Sequence, residues 1–284
     1  MTALFVNHLT VMDFSYVDAD RGILGESWIV DVTLHGDLDE QGMVFDFGDV
    51  KKQLKRAIDD LYDHRLLVPE SLPQLTTFQA AEKLELDWQD TQQRMYQHIS
   101  PSNAVVLLPV DKITPASVTP LLEQQVKKVL PRNVAKLSLT LREETIPGPY
   151  YHYSHGLKKH QGNCQRIAHG HRSPIEIYID DHRSTPLESE WAERWRDIYI
   201  GTREDITEET HHQGVNYTRF CYEAEQGVFE LALPSDCCYL IDTDSTVEHL
   251  ASHLADSIKA SAPKSHVMVK AYEGVWKGAI AVRD

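Results

Sequence analysis

Leu137-Ser138-Leu139-Thr140-Leu141-Arg142-Glu143 and Val267-Met268-Val269-Lys270-Ala271-Tyr272-Glu273 decide the architecture of this chain. Each puts apolar side chains at every second position, as a strand with one buried face requires, and each ends on glutamate at the same step. They match without a gap, and the segments before them match in order. In the first half, alternation runs over residues 4–16 and resumes at Trp28, Val30, Val32 and Leu34, with turn residues Asp39-Glu40-Gln41-Gly42 after it. A helix is expected from Asp46, with Val50, Leu54, Ile58 and Leu61 at helical spacing, stopping near Tyr62-Asp63-His64. A second opens on a Thr114-Pro115 cap and carries Val118, Leu121, Leu122, Val126 and Val129. In the second half, strands are expected over 150–154 and 169–180. A helix follows from a Thr185-Pro186-Leu187-Glu188 capping box through Trp191, Trp195 and Ile198, and another from Ser245-Thr246 through Val247, Leu250, Leu254 and Ile258.

The chain is therefore read as α+β, a tandem duplication of a β-β-α-α-β unit, with copy one over 1–147 and copy two over 148–284. Only Pro147-Gly148-Pro149 separates the last strand of one copy from the first of the next, so the two strands could run on. Copy one carries an insertion over 70–110. Its polar, Gln-rich part, 70–103, is read as a surface helix bearing Phe78, Leu84 and Trp88. Copy two carries a hairpin-like insertion over 217–233.

One stretch of copy two concentrates chemistry: Cys164-Gln-Arg-Ile-Ala-His169-Gly170-His171, with His155 upstream. A His-x-His pair on a strand puts both imidazoles on one face, and Ser173, Ile175, Ile177 and Ile179 share that parity. Gly170 between them lets another backbone approach the opposite face. If the strand ending at His155 forms a hairpin with this one, His155 arrives beside the pair. Three neutral nitrogen ligands with a vacant fourth position are how a catalytic zinc is held.

The constellation Tyr153-Ser154-His155, Cys164, His169-Gly170-His171 resembles the 6-pyruvoyltetrahydropterin synthase and 6-carboxytetrahydropterin synthase family. The resemblance implies the tunnelling or T-fold, in which sheets of antiparallel strands carry helices on one face and close into an oligomeric barrel. It implies His155, His169 and His171 as Zn2+ ligands and Cys164 as the catalytic thiol. Copy one has Leu24-Gly25-Glu26 where copy two has His169-Gly170-His171, and so lacks the ligands. It keeps Gly42-Met-Val-Phe-Asp46-Phe47 and Asp63-His64-Arg-Leu-Leu67, which look like further family motifs, and the Asp-His pair is implied as a proton relay working with the cysteine. Copy two reads Arg196-Asp197 at that place, while its Asp181-His182 precedes the helix and is expected to be silent. The losses are complementary, and because the family builds its sites at junctions between units, the resemblance implies one composite site per pair of copies. The family's pterin anchor is a closing-strand glutamate: Glu273 in copy two, and Glu144 or Glu143 in copy one.

The implied reaction is a zinc-dependent lyase acting on 7,8-dihydroneopterin triphosphate. The 6-carboxytetrahydropterin synthase type, feeding queuosine-type deazapurine synthesis, is the first reading. The pyruvoyl-forming reaction and a non-catalytic pterin- or purine-binding T-fold protein are the alternatives. A zinc hydrolase is weaker, because no acidic residue sits beside the ligands in metalloprotease spacing.

Composition sets bounds on these readings. The 284 residues hold 28 basic and 43 acidic side chains, a formal charge of −15. That charge repels a phosphate backbone, so nucleic acid is not an expected partner. A polyphosphate substrate would need local cations, and Lys158, Lys159, Arg166 and Arg172 are either that patch or solvated loop charges. Four cysteines, two of them vicinal, make no disulfide framework, and no leader or membrane span is visible, so a cytoplasmic protein is expected. Exposed barrel edges call for a homo-oligomer.

Overall fold

The computed structural model describes residues 2–284. Strands β1 (Thr2–Asp18) and β2 (Gly22–Gly36) form a long antiparallel hairpin. A helix opens at Phe47, where the Asp46 carboxylate accepts from the amides of Gly48 and Asp49. It loosens into a π turn over Val50–Leu54 and ends as α1 (Lys55–Tyr62). Strands β3 (Leu66–Pro69), β4 (Thr76–Ala80), β5 (Lys83–Gln89), β6 (Met95–Pro101) and β7 (Val105–Leu108) follow, then α2 (Pro115–Val126) and β8 (Val134–Glu143). The Thr114 hydroxyl caps α2 by accepting from the Ser117 amide at 3.1 Å.

The second half runs β9 (Tyr150–His155), β10 (His169–Ile179), β11 (His182–Arg183), α3 (Thr185–Arg194) and β12 (Ile198–Thr202). It continues with β13 (Ile206–His212), β14 (Val215–Ala224), β15 (Gly227–Pro234), β16 (Cys238–Ile241), α4 (Val247–Ser261), β17 (Val267–Tyr272) and β18 (Gly278–Arg283). One sheet has the order β7-β3-β1-β2-β8, and its counterpart β16-β12-β9-β10-β17-β18. The antiparallel centre of each is extended by parallel strands, β3 and β7 in one and β12 and β16 in the other. Each sheet packs a core of its own against its helices: Phe14, Trp28, Val50, Ile58 and Leu122 in the first, Tyr151, Ile175, Trp195, Leu254 and Val269 in the second.

The third sheet corrects the expectation for 70–103. That segment is not a surface helix but β4, β5 and β6, paired through β6 and β15 with the insertion of the other half, in the order β13-β14-β15-β6-β5-β4. Leu84, Leu86 and Trp88 are buried while Lys83, Glu85 and Gln89 are not, a period of two. Phe78 is exposed on β4 rather than buried with them. Three smaller differences follow from tertiary contacts. Glu188 does not close a capping box: its buried carboxylate accepts from the Ile177 amide at 3.1 Å and from Arg183 at 2.8 Å. Ile198 opens β12 instead of extending α3. Strand β8 ends at Glu143 on one sheet and β9 begins at Tyr150 on the other, so the strands do not run on.

The face of each central hairpin turned away from the helices packs on the other hairpin. Ser15 pairs with Gly25, and Ser154 with Gly170, at equivalent steps of the two hairpins. The Ser15 and Ser154 hydroxyls meet at 2.7 Å. A Cβ on Gly25 would collide with the Tyr153 carbonyl and the His171 amide, and one on Gly170 with the Tyr153 carbonyl and the Gly25 Cα. Only glycine lets the backbones cross this closely. No helix among the described residues is long and apolar enough to cross a membrane.

Candidate active site

The register of β9 with β10 sets His155 opposite His169 and Tyr153 opposite His171. One ligand atom from each of His155, His169 and His171 lies within 4.8 Å of the others, and all three rings are buried. Nδ1 of His155 faces the carbonyl and hydroxyl of Ser245, both at 3.0 Å, and Nδ1 of His169 faces the Arg166 carbonyl at 2.9 Å. Those contacts make each Nδ1 the protonated nitrogen and leave Nε2 as the lone-pair bearer. Nε2 of His155 and of His171 are buried without a hydrogen-bond partner. Burial, and then neighbouring imidazoles, hold the protonation of His155 and His169 well below the usual histidine range. Buried nitrogens left without a partner cost free energy unless a cation takes their lone pairs, so the donor set fits a metal.

Copy one brings the other half. His64 approaches from the end of α1, its ring 5.0 Å from that of His169, and His64, Cys164 and His169 offer ligand atoms within 4.8 Å of one another. The Asp63 carboxylate sits 2.6 Å from His64 Nδ1. His64 occupies the left-handed region, φ 53°, as Asp197 does at the equivalent place in copy two, φ 54°. Burial opposes the charge on His64, but Asp63 and Cys164 outweigh it and its pKa is pushed up to about 10. Asp63, His64 and Cys164 thus meet within one chain.

Other expected residues are sorted by the fold. Glu273 Oε1 lies 4.0 Å from His171 Nε2, beside the trio. Glu144 stands apart from it: its carbonyl accepts from Arg172, and burial raises its carboxyl. Glu143 also faces Arg172, at 3.7 Å. Lys158 is paired with Glu204 and Asp205, and Lys159 with Asp244, while Arg172 stacks on Tyr150. Of the four cations, Arg166 alone reaches the site, donating to the His64 carbonyl at 3.2 Å. Asp181 and His182 are exposed, with His182 Nδ1 turned to the Asp180 carbonyl.

Sequence reasoning passed over Asp13, Ser27 and Lys277. Asp13 Oδ1 lies 3.2 Å from His171 Nδ1, and Ser27 and Lys277 donate to its carboxylate at 2.5 and 2.9 Å. The available signal was an acid in the middle of the apolar run Val11-Met12-Asp13-Phe14, on the parity of Ser15.

A family model described as 6-pyruvoyl tetrahydropterin synthase matches residues 11–110 and 149–281, most of the chain in two segments. The chain belongs to this family. It is a tandem-duplicated member, and its class of activity is that of the tetrahydropterin synthase lyases. Among solved structures, 6-pyruvoyl tetrahydropterin synthase from Plasmodium vivax aligns at 16% identity and a TM-score of 0.39, covering 50% of this chain and 97% of its own. The Plasmodium falciparum enzyme aligns at 13% identity and a TM-score of 0.38 with the same coverage. No curated protein matches the chain.

Proposed function

We propose that the chain is a zinc-dependent, 6-carboxytetrahydropterin synthase-like lyase acting on 7,8-dihydroneopterin triphosphate, in deazapurine biosynthesis of the queuosine type. One observation carries the reading: the buried trio His155, His169 and His171 of copy two opens beside Cys164 and faces Asp63-His64 of copy one. His155, His169 and His171 would hold the zinc, which when bound supplies Lewis-acid polarisation of the substrate's side-chain hydroxyls. Cys164 moves protons at the side-chain carbons, and His64 relays them, because the two lie within reach of each other. Asp63 fixes the ring of His64 through Nδ1, leaving Nε2 for the exchange. Glu273, partly exposed beside His171, anchors the pterin through the ring amine and amide.

Both large sheets end in strands with a free edge, β8 in one and β18 in the other, and Ile280 and Val282 on β18 are exposed. Such edges are stable when paired, which supports a closed homo-oligomer. Incubation of the purified protein with 7,8-dihydroneopterin triphosphate, followed by mass analysis of the product, tests the function. A 6-carboxytetrahydropterin supports it, a pyruvoyl product replaces the first reading by its neighbour, and an unchanged substrate with intact zinc sinks the catalytic reading.

A further inference from the structure

Packing the two hairpins face to face brings a residue of copy one into the metal trio of copy two. Asp13 lies on β1 on the face it shares with Ser15, and the crossing at Gly25 and Gly170 sets it against His171. Its carboxylate is 4% exposed and fully engaged. Oδ1 accepts from Ser27 at 2.5 Å and lies 3.2 Å from His171 Nδ1, while Oδ2 accepts from Lys277 at 2.9 Å. The contact with His171 is short but is not a hydrogen bond: Nδ1 of His171, like its Nε2, is buried without a hydrogen-bond partner, and the carboxylate acts on the ring by charge at close range. Burying a carboxylate costs several kcal/mol unless partners of this kind surround it, so a strand would not carry one here for packing alone.

The three histidines differ in what faces Nδ1. His155 has Ser245 and His169 has the Arg166 carbonyl, both from copy two. His171 has only Asp13, from copy one and anionic. The same residue ties down the relay. The Asp13 amide donates to Asp63 at 2.8 Å, and the His64 amide donates to the Asp13 carbonyl at 2.7 Å. At the mirrored place across the seam, where Glu26 replaces His171 and His152 replaces Asp13, an acid and an imidazole also face each other at 3.8 Å. That pair has no metal trio beside it, because Leu24 and Tyr16 stand where the other ligands would be.

We infer that Asp13 is a positioning residue of the composite site: it keeps the proton of His171 on Nδ1, turns Nε2 to the metal, and sets the relay by its backbone. The inference rests on the metal reading above. It predicts that in the wild-type chain stripped of metal, nitrogen NMR of histidine-labelled protein finds His171 protonated on Nδ1. Protonation on Nε2 in the wild type overturns it. Asp13→Asn should shift that signature toward Nε2 protonation and weaken zinc about 10- to 100-fold in chelator competition, the usual effect of a partner behind a metal-bound histidine. Glu26→Gln, at the mirrored pair, should leave zinc affinity unchanged. Equal weakening by both variants would mean a loosened seam and overturn the inference, as would wild-type affinity in Asp13→Asn. A wild-type chain that takes up no zinc would instead sink the metal reading itself.

Discussion

Replacing Glu26 by glutamine probes the seam between the copies through its charge. Glu26 stands where copy two has His171 and is 3% exposed. Burial pushes its carboxyl up to about 8 from an ordinary 4.5, against the opposing hydrogen bond from the Ser27 amide, 2.8 Å away. Between those two values the folded chain keeps a proton that the unfolded chain releases. The folded state binds more protons in that window, so this group makes stability fall as pH rises through it. Each unit of displacement is worth about 1.4 kcal/mol, so the loss reaches roughly 4–5 kcal/mol at the top of the window. Glutamine keeps the shape and the oxygen that accepts from Ser27 but has no proton to release. Urea unfolding should find Glu26→Gln close to wild type near the bottom of the window and more stable by several kcal/mol at its top. Added salt should change little, because the group is buried. Parallel pH dependences in the two proteins would refute the claim that Glu26 is held neutral at the seam.

Gly25→Ala should cost about 3 kcal/mol, the upper end for overpacking, because the added methyl meets backbone atoms of Tyr153 and His171 that cannot rotate away; an unchanged urea midpoint would contradict it. His64→Ala and Cys164→Ala should each lower turnover about a hundred- to ten-thousand-fold, and the double variant should be little worse than the poorer single. His182→Ala, exposed and away from the trio, should be nearly silent in the same assay; loss of activity there with none at His64 would move the site wholly into copy two. Elemental analysis should find one zinc per chain, removed by His171→Ala with the fold retained, and two per chain would be wrong for a copy one that carries Leu24 and Glu26. Light scattering should find an oligomer at micromolar concentration, since a stable monomer leaves β8 and β18 unpaired.

The sequence by itself determined what is local. Alternation at Leu137, Leu139 and Leu141, repeated at Val267, Val269 and Ala271, marks which face of a strand is apolar. Parity on β10 puts His169 and His171 on one side, and a hairpin partner is near in sequence, so the trio with His155 was legible. Equivalent positions in a duplicated chain were legible too, and they show Arg196-Asp197 where copy one has Asp63-His64, while the pairing of Asp63-His64 with Cys164, a hundred residues further on, came from the resemblance to the family. The tertiary structure alone decided what those faces meet. The period of two at Leu84, Leu86 and Trp88 is a local mark of a strand, but the pairing of β6 with β15 of the other half is not, because a polar segment carries no mark of where its partner lies. Glu188 serves Ile177 and Arg183 rather than its own helix for the same reason. Asp13 reaches His171 only because Gly25 and Gly170 let two sheets cross at backbone distance. Periodicity reports the polarity of a surface, while the identity of the opposing surface depends on chain segments that no local pattern connects.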